Sequence, residues 1–203
     1  MSIELTAQID PSFVPMFLQL QREASVPYDN FVYADDAEAS RVQRILFDAG
    51  AGEWAPPCGR AAVKDGETVG VLAGARAEDL PAVRLGASLA LGRAGVLEDE
   101  DLARRMRLAF EALVKPEEGD YYYGVVAVAP VARGSDVSAE LFELARHEAR
   151  QSGARRVVGQ TSADSARLIA FYERTGHHWI GEGKANDPQS GRELHYRHFA
   201  IAL

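Results

Sequence analysis

The residues best suited to chemistry lie between Tyr121 and Gly181. An apolar, β-prone run ends at Ala129-Pro130, an Arg133-Gly134 turn follows, and a helical pattern opens directly behind it. The first amides of a helix lack intrahelical partners and sit at its positive end, so a turn of this kind suits a phosphate or another anion. Further on, Phe171-Tyr172-Glu173-Arg174-Thr175-Gly176 closes a short helical stretch. Its tyrosine carries a phenol able to pass a proton to a leaving group. Anion binding beside a proton donor suits group transfer from a nucleotide ester.

The elements that must hold these residues follow from the pattern. Asp10-Pro11 predicts a helix entry, with Phe13, Met16, Phe17 and Leu20 on one face of a helix at about 11–24 and a loop around Val26-Pro27-Tyr28. Asp35-Asp36 caps a second helix whose apolar face is Val42, Ile45, Leu46 and Ala49, stopped by Gly50 and Gly52. Asp65-Gly66 between two β-prone runs, within 61–73, predicts a hairpin. Helical spacing returns from Leu80 to Val114, clearest through Leu102, Met106, Ala109, Phe110 and Leu113 after the acidic turn Glu98 to Asp101, and Lys115-Pro116 ends it.

Tyr121 to Val128 reads as a strand and Val137 to Ser152 as a helix stopped by Gly153. Arg156 to Thr161 reads as a strand and Ser165 to Thr175 as a short helix. His178 to Gly181 and Leu194 to Ile201 are two closing strands around a long polar loop, Lys184 to Arg192, of the kind that selects substrates.

The run Val125-Val126-Ala127-Val128-Ala129-Pro130-Val131-Ala132-Arg133-Gly134-Ser135-Asp136-Val137-Ser138, followed by Ser165 to Gly176, resembles the signature region of the Gcn5-related N-acetyltransferases. The second half of the chain carries the resemblance strongly, and the two helices and hairpin before it are in the family's order. The resemblance implies an α/β (α+β) fold with a mixed, mostly antiparallel sheet flanked by helices. We expect one domain over 1–203 with a helical insertion at about 80–115. It further implies that the backbone of Val126, Ala127 and Val128 bonds the pantetheine arm of acetyl-CoA. The turn Arg133, Gly134, Ser135, Asp136, Val137 and Ser138 would then hold the pyrophosphate, and Tyr172 would protonate the departing thiolate. The implied reaction is acetyl transfer from acetyl-CoA, a co-substrate, to a primary amine by direct attack in a ternary complex.

Three positions depart from the family pattern. Asp136 stands where the pattern has glycine, Ser165 where an asparagine commonly contacts the coenzyme arm, and Gln160 where some relatives place a glutamate base. Ser138 is small enough for its position, and Ser165 keeps a hydroxyl. Glutamine cannot accept the amine's proton. A carboxylate facing a pyrophosphate costs several kcal/mol at low effective dielectric, whereas one turned away merely favours the helix's first turn. Two readings stay open: an active acyl-CoA N-acyltransferase, or a non-catalytic member that senses a ligand or binds a partner.

The remaining candidates are bystanders by type. Glu118 and Asp120 could reach an acceptor through water but are expected to be solvated, and Tyr121 to Tyr123 are expected in the core. Histidines 177, 178, 195 and 198 point to opposite faces, so we expect no metal. Cys58 lacks an activating neighbour, and Trp54 and Trp179 are expected to be buried, with a pocket border as the alternative. A net charge of −8 argues against nucleic acid as partner. One cysteine and no apolar run near the roughly 20 residues of a membrane span point to the cytoplasm and away from membranes. The acceptor is a small-molecule or peptide amine, and a homodimer is compatible with the sequence. Asp136→Gly separates the two placements of that carboxylate: acetyl-CoA affinity, measured by calorimetry, rises if it faces the pyrophosphate and stays unchanged if it faces away.

Overall fold

The computed structural model describes residues 3–56, 58–133 and 137–203. Seven strands form one sheet in the order β1-β2-β3-β4-β5-β7-β6. They are β1 (Glu4–Thr6), β2 (Gly59–Lys64), β3 (Glu67–Arg76), β4 (Asp120–Val128), β5 (Arg156–Ser162), β6 (His178–Asp187) and β7 (Arg192–Ala202). Every neighbouring pair is antiparallel except β4 with β5. The hairpin turn falls on Asp65 and Gly66, both with positive φ (55° and 83°), the geometry that makes Asp-Gly a two-residue turn. The short strand β1 extends the hairpin's outer edge and was not legible in the sequence.

Helices cover both faces. On one lie α1 (Val14–Val32), α2 (Asp36–Asp48), α3 (Leu80–Arg93) and α4 (Glu100–Ala112); on the other lie α5 (Val137–Gln151) and α6 (Ala166–Arg174). The helical stretch expected at about 80–115 is α3, a 3-10 turn at Val96–Glu98, and α4. Caps set the boundaries: Asp35 accepts from the Glu38 amide (2.8 Å) and Asp99 from the Leu102 amide (2.9 Å).

Two expectations are corrected. The loop around Pro27 is helix, because α1 runs through it to Val32. Proline removes one amide donor, yet the turn beyond it buries Phe31 and Val32 completely, and tertiary burial outweighs the lost bond. The helix also begins at Val14, since Asp10 first makes a turn with the amides of Ser12 and Phe13.

The polar segment Lys184 to Arg192 is mostly strand. β6 pairs with β7 as far as Asp187↔Arg192, which leaves residues 188–191 as the turn. Its polarity is that of an edge strand facing water. Asp187 organises that turn from a fully buried position. Its side chain accepts from Ser190 Oγ (2.6 Å) and from Arg104 of α4 (3.0 and 3.2 Å), and its carbonyl accepts from the Gly191 amide (2.8 Å).

α5 sits tightly on the sheet because Gly70 has no side chain. A Cβ there would lie 2.6 Å from the Ala127 carbonyl oxygen and 2.7 Å from Leu141 Cδ1. Gly70→Ala is expected to destabilise the protein by about 1–3 kcal/mol, the usual cost of overpacking, read from the urea midpoint of equilibrium unfolding.

Candidate active site

β4 and β5 pair only from Asp120↔Arg156 to Tyr123↔Gly159. Beyond that point β4 continues to Val128 beside β3 alone, and β5 continues to Ser162 beside β7 alone. The far edge of Val125–Val128 therefore has no strand beside it among the described residues. Gly124 sits at the parting as an extra residue, between the pairs Gly74↔Tyr123 and Ala73↔Val125. This bulge bends the strand and resets its alternation. Tyr122, Val125 and Ala127 face α1–α4, while Tyr123, Val126 and Val128 face α5 and α6. An unpaired strand edge is a template for an extended ligand that supplies its own donors and acceptors.

On the α5 side the turn after β4 is tied down locally. The Ala129 amide donates to the Val69 carbonyl (2.9 Å), and Arg133 Nε donates to the Val128 carbonyl (3.1 Å). Arg133 also pairs with Glu23 of α1. Gly134, Ser135 and Asp136 lie outside the described residues. Val137 is buried and Ser138 half-buried in the first turn of α5. Ser165 caps α6, accepting from the Leu168 amide (3.4 Å).

Tyr172 stacks on Phe199, with ring centroids 4.1 Å apart and 24° between planes. Phe199 in turn covers Gly159, where an added Cβ would lie 2.6 Å from Phe199 Cζ. Tyr172 thus stands over the last pair before the strands part. Burial pushes its phenol well above the ordinary tyrosine value, so it is protonated at neutral pH. His177 meets both rings edge-on at 5.1 and 5.0 Å, and its Nδ1 is 2.9 Å from Thr175 Oγ1.

On the opposite face Gln160 Nε2 donates to the Tyr122 hydroxyl (2.8 Å), and Gln160 Oε1 accepts from the Val114 amide (3.4 Å). Gln160 therefore fixes Tyr122 in the wall. Asp120, expected to be solvated, is only 3% exposed, and its carboxylate accepts from Arg156 Nε (2.6 Å) and Nη2 (3.1 Å). It clamps the paired half of β4 and β5 and is committed to that role.

A cavity of about 710 Å³ lies between α1, α2, α3 and α4. Glu53, Trp54 and Arg84 line it, and the Glu53 carboxylate pairs with Arg84. Trp54 reaches the parting, since a Cβ on Gly124 would lie 3.1 Å from its Nε1. Sequence reasoning weighed Trp54 as core against pocket border, and it is the border. It missed Glu53 and Arg84, which lie in separate segments without a shared motif; the turn-rich run Gly52-Glu53-Trp54-Ala55-Pro56 was the available signal.

A sequence profile described as the Acetyltransferase (GNAT) family matches residues 18–177, and the chain belongs to that family. The solved structure of SsHAT is similar over 100% of this chain and 98% of its own, with TM-score 0.63 and 16% identity. An acetyltransferase crystal structure aligns over 98% of this chain and 99% of its own, with TM-score 0.62 and 13% identity. Ribosomal-protein-alanine N-acetyltransferase from Brucella melitensis covers the full length of both chains with TM-score 0.53 and 16% identity. At these identities the likeness shows the fold alone. No curated protein matches the chain significantly.

Two buried groups near the site titrate in opposite senses. Burial raises the Asp29 carboxyl, beneath Gln43 of the cavity wall, to about 7, and burial lowers His177 to about 4. The Asp29 contribution to stability is full below pH 4 and is lost as pH rises through 7. The His177 contribution is full above pH 6.5 and is lost as pH falls through 4. Between those limits the two slopes oppose each other. Asp29→Asn should leave the His177 slope alone, so the variant's melting temperature gains on the wild type from pH 5 to pH 8 in scanning calorimetry. Parallel curves would contradict the assignment.

Proposed function

We infer that the protein is an acetyl-CoA-dependent N-acetyltransferase that acts on a primary amine by direct attack in a ternary complex. The observation that carries this reading is the parting of β4 from β5, with a phenol on one face and a large cavity on the other. The unpaired edge of Val126, Ala127 and Val128 fits the amide-rich pantetheine arm as an added strand. The start of α5, with its helix dipole and Arg133, suits the pyrophosphate.

The cavity side admits the amine, which loses a proton to water before its nitrogen attacks the thioester carbonyl carbon. The carbon–nitrogen bond forms, the carbon–sulfur bond breaks, and Tyr172 gives its proton to the sulfur. Solvent restores that proton as the nitrogen releases its second one, so each turnover yields an amide, a free thiol and one proton. Backbone amides at the bulge stabilise the oxyanion. Gln160 takes no part as a base because a carboxamide does not take up a proton near neutral pH; it holds Tyr122 and the Val114 amide instead. The lone, half-buried Cys58 suits a reducing cytoplasm.

Acetyl-CoA at about 100 times its dissociation constant should stabilise the protein by about 2.7 kcal/mol, a rise of about 5–10 °C in melting temperature. No shift at millimolar ligand would leave a fold without its coenzyme site. Tyr172→Phe should lower kcat by about 100-fold with acetyl-CoA KM within about threefold of wild type, measured by thiol release.

A further inference from the structure

The cavity on the α1–α4 face is walled largely by carbon, with Leu46, Phe47, Met106 and Phe110 among its lining. Into these walls the fold sets one ion pair, Glu53 with Arg84, whose side chains are 13% and 25% exposed. Arg84 meets Glu53 through Nε, while its buried Nη2 has no hydrogen-bond partner among the described residues. The guanidinium is held in place over Phe110, 4.7 Å from the ring centroid. Gln43 is 3% exposed and lines the same cavity with an unpartnered Oε1. Buried donors and acceptors of this kind cost free energy until a ligand or solvent satisfies them.

The pair also stands where an acceptor must bind. The guanidinium carbon lies 6.0 Å from the Tyr122 ring centroid, and Trp54, next to Glu53 in sequence, reaches Gly124 at the parting. A simple amine entering here brings one positive charge, which Glu53 attracts and Arg84 repels. A simple carboxylic acid meets the reverse. A zwitterion replaces the one internal pair by two, giving its carboxylate to the guanidinium and its ammonium to the carboxylate, and strands neither charge. Arg107 and Glu111 line the cavity as well, one charge of each sign, and the wall of Leu46, Phe47, Met106 and Phe110 takes an apolar side chain; 710 Å³ is in the range of sites for single small molecules.

We propose that this cavity is the acceptor site for a free α-amino acid with an apolar side chain, its carboxylate held by Arg84 and its ammonium by Glu53. The inference rests on the acyltransferase reading for its chemistry, although binding alone tests the site. A peptide amino terminus lacks the free carboxylate at that spacing and is disfavoured.

Calorimetry on the full chain compares L-phenylalanine and L-leucine with phenethylamine, which keeps the ring and the amine but lacks the carboxylate. L-phenylalanine should bind at least about 30-fold more tightly than phenethylamine, the value of a charge-assisted buried contact. Arg84→Met should abolish that preference by weakening L-phenylalanine, while phenethylamine, freed of the repelling guanidinium, binds no more weakly than to the wild type. Should that variant fail to fold, Arg84→Lys serves instead: it keeps the charge without the planar fork and should retain a weakened preference. Equal affinity of the two ligands, or equal loss of both in the variant, would overturn the proposal. Thiol release with both ligands separates the two readings. Phenethylamine turned over with no binding of amino acids leaves the acetyltransferase standing and removes this site. Amino acids bound with no thiol released from any amine supports the site and removes the enzyme.

Discussion

The constraint on which the structure depends is the incomplete pairing of β4 with β5. The paired half is held firmly: the buried Asp120 carboxylate grips Arg156, and the tyrosines of β4 bury on both faces. The unpaired half is held apart by what each strand does next. β4 stays with β3, on which α5 is seated through the bare Cα of Gly70, and β5 stays with β7. Gly159 and Phe199 mark the border, one supplying the space that the other's ring fills. Four residues with β3 on one side and no strand on the other among the described residues leave backbone groups that an interior strand would pair.

The parting also divides the chemistry by face. The bulge at Gly124 keeps Val125 on the same side as Tyr122 and sends Val126 and Val128 to the side of α5. One side carries the Tyr172 phenol in an aromatic cluster, where burial keeps both Tyr172 and His177 uncharged near neutral pH. The other side carries an internally neutral ion pair in an apolar cavity. Each side thus meets the cost of burying polar groups differently, one by keeping them neutral and the other by pairing opposite charges.

What was legible in the sequence was local. The Asp65-Gly66 turn, the cap at Asp35, the acidic helix start at Glu98 to Asp101, and the strand–turn–helix order from Tyr121 to Ser152 each rest on a few neighbouring residues whose preferences agree with the fold. Where local preference and tertiary packing disagree, the sequence misleads. Pro27 announces a break that the burial of Phe31 and Val32 overrides, and the polar composition of 184–192 signals a loop where an edge strand faces water. The cavity was illegible for another reason. Glu53 and Arg84 belong to different segments and meet only through packing, so no spacing rule could join them.

Arg133 is a partly exposed cation at the end of β4 in a chain of net charge −8. Its guanidinium bonds the Val128 carbonyl and pairs with Glu23 of α1, and both side chains are substantially exposed, 51% and 36%. An exposed pair of this kind is worth at most about 1 kcal/mol and weakens with salt. It is therefore strong enough to orient the arginine at the end of β4 and weak enough to yield to a group with more charge and more acceptor oxygens. Local geometry, not the net charge of the whole chain, sets the field at this helix start, where Arg133 stands beside Glu23 and ahead of Glu140 in the first turn of α5.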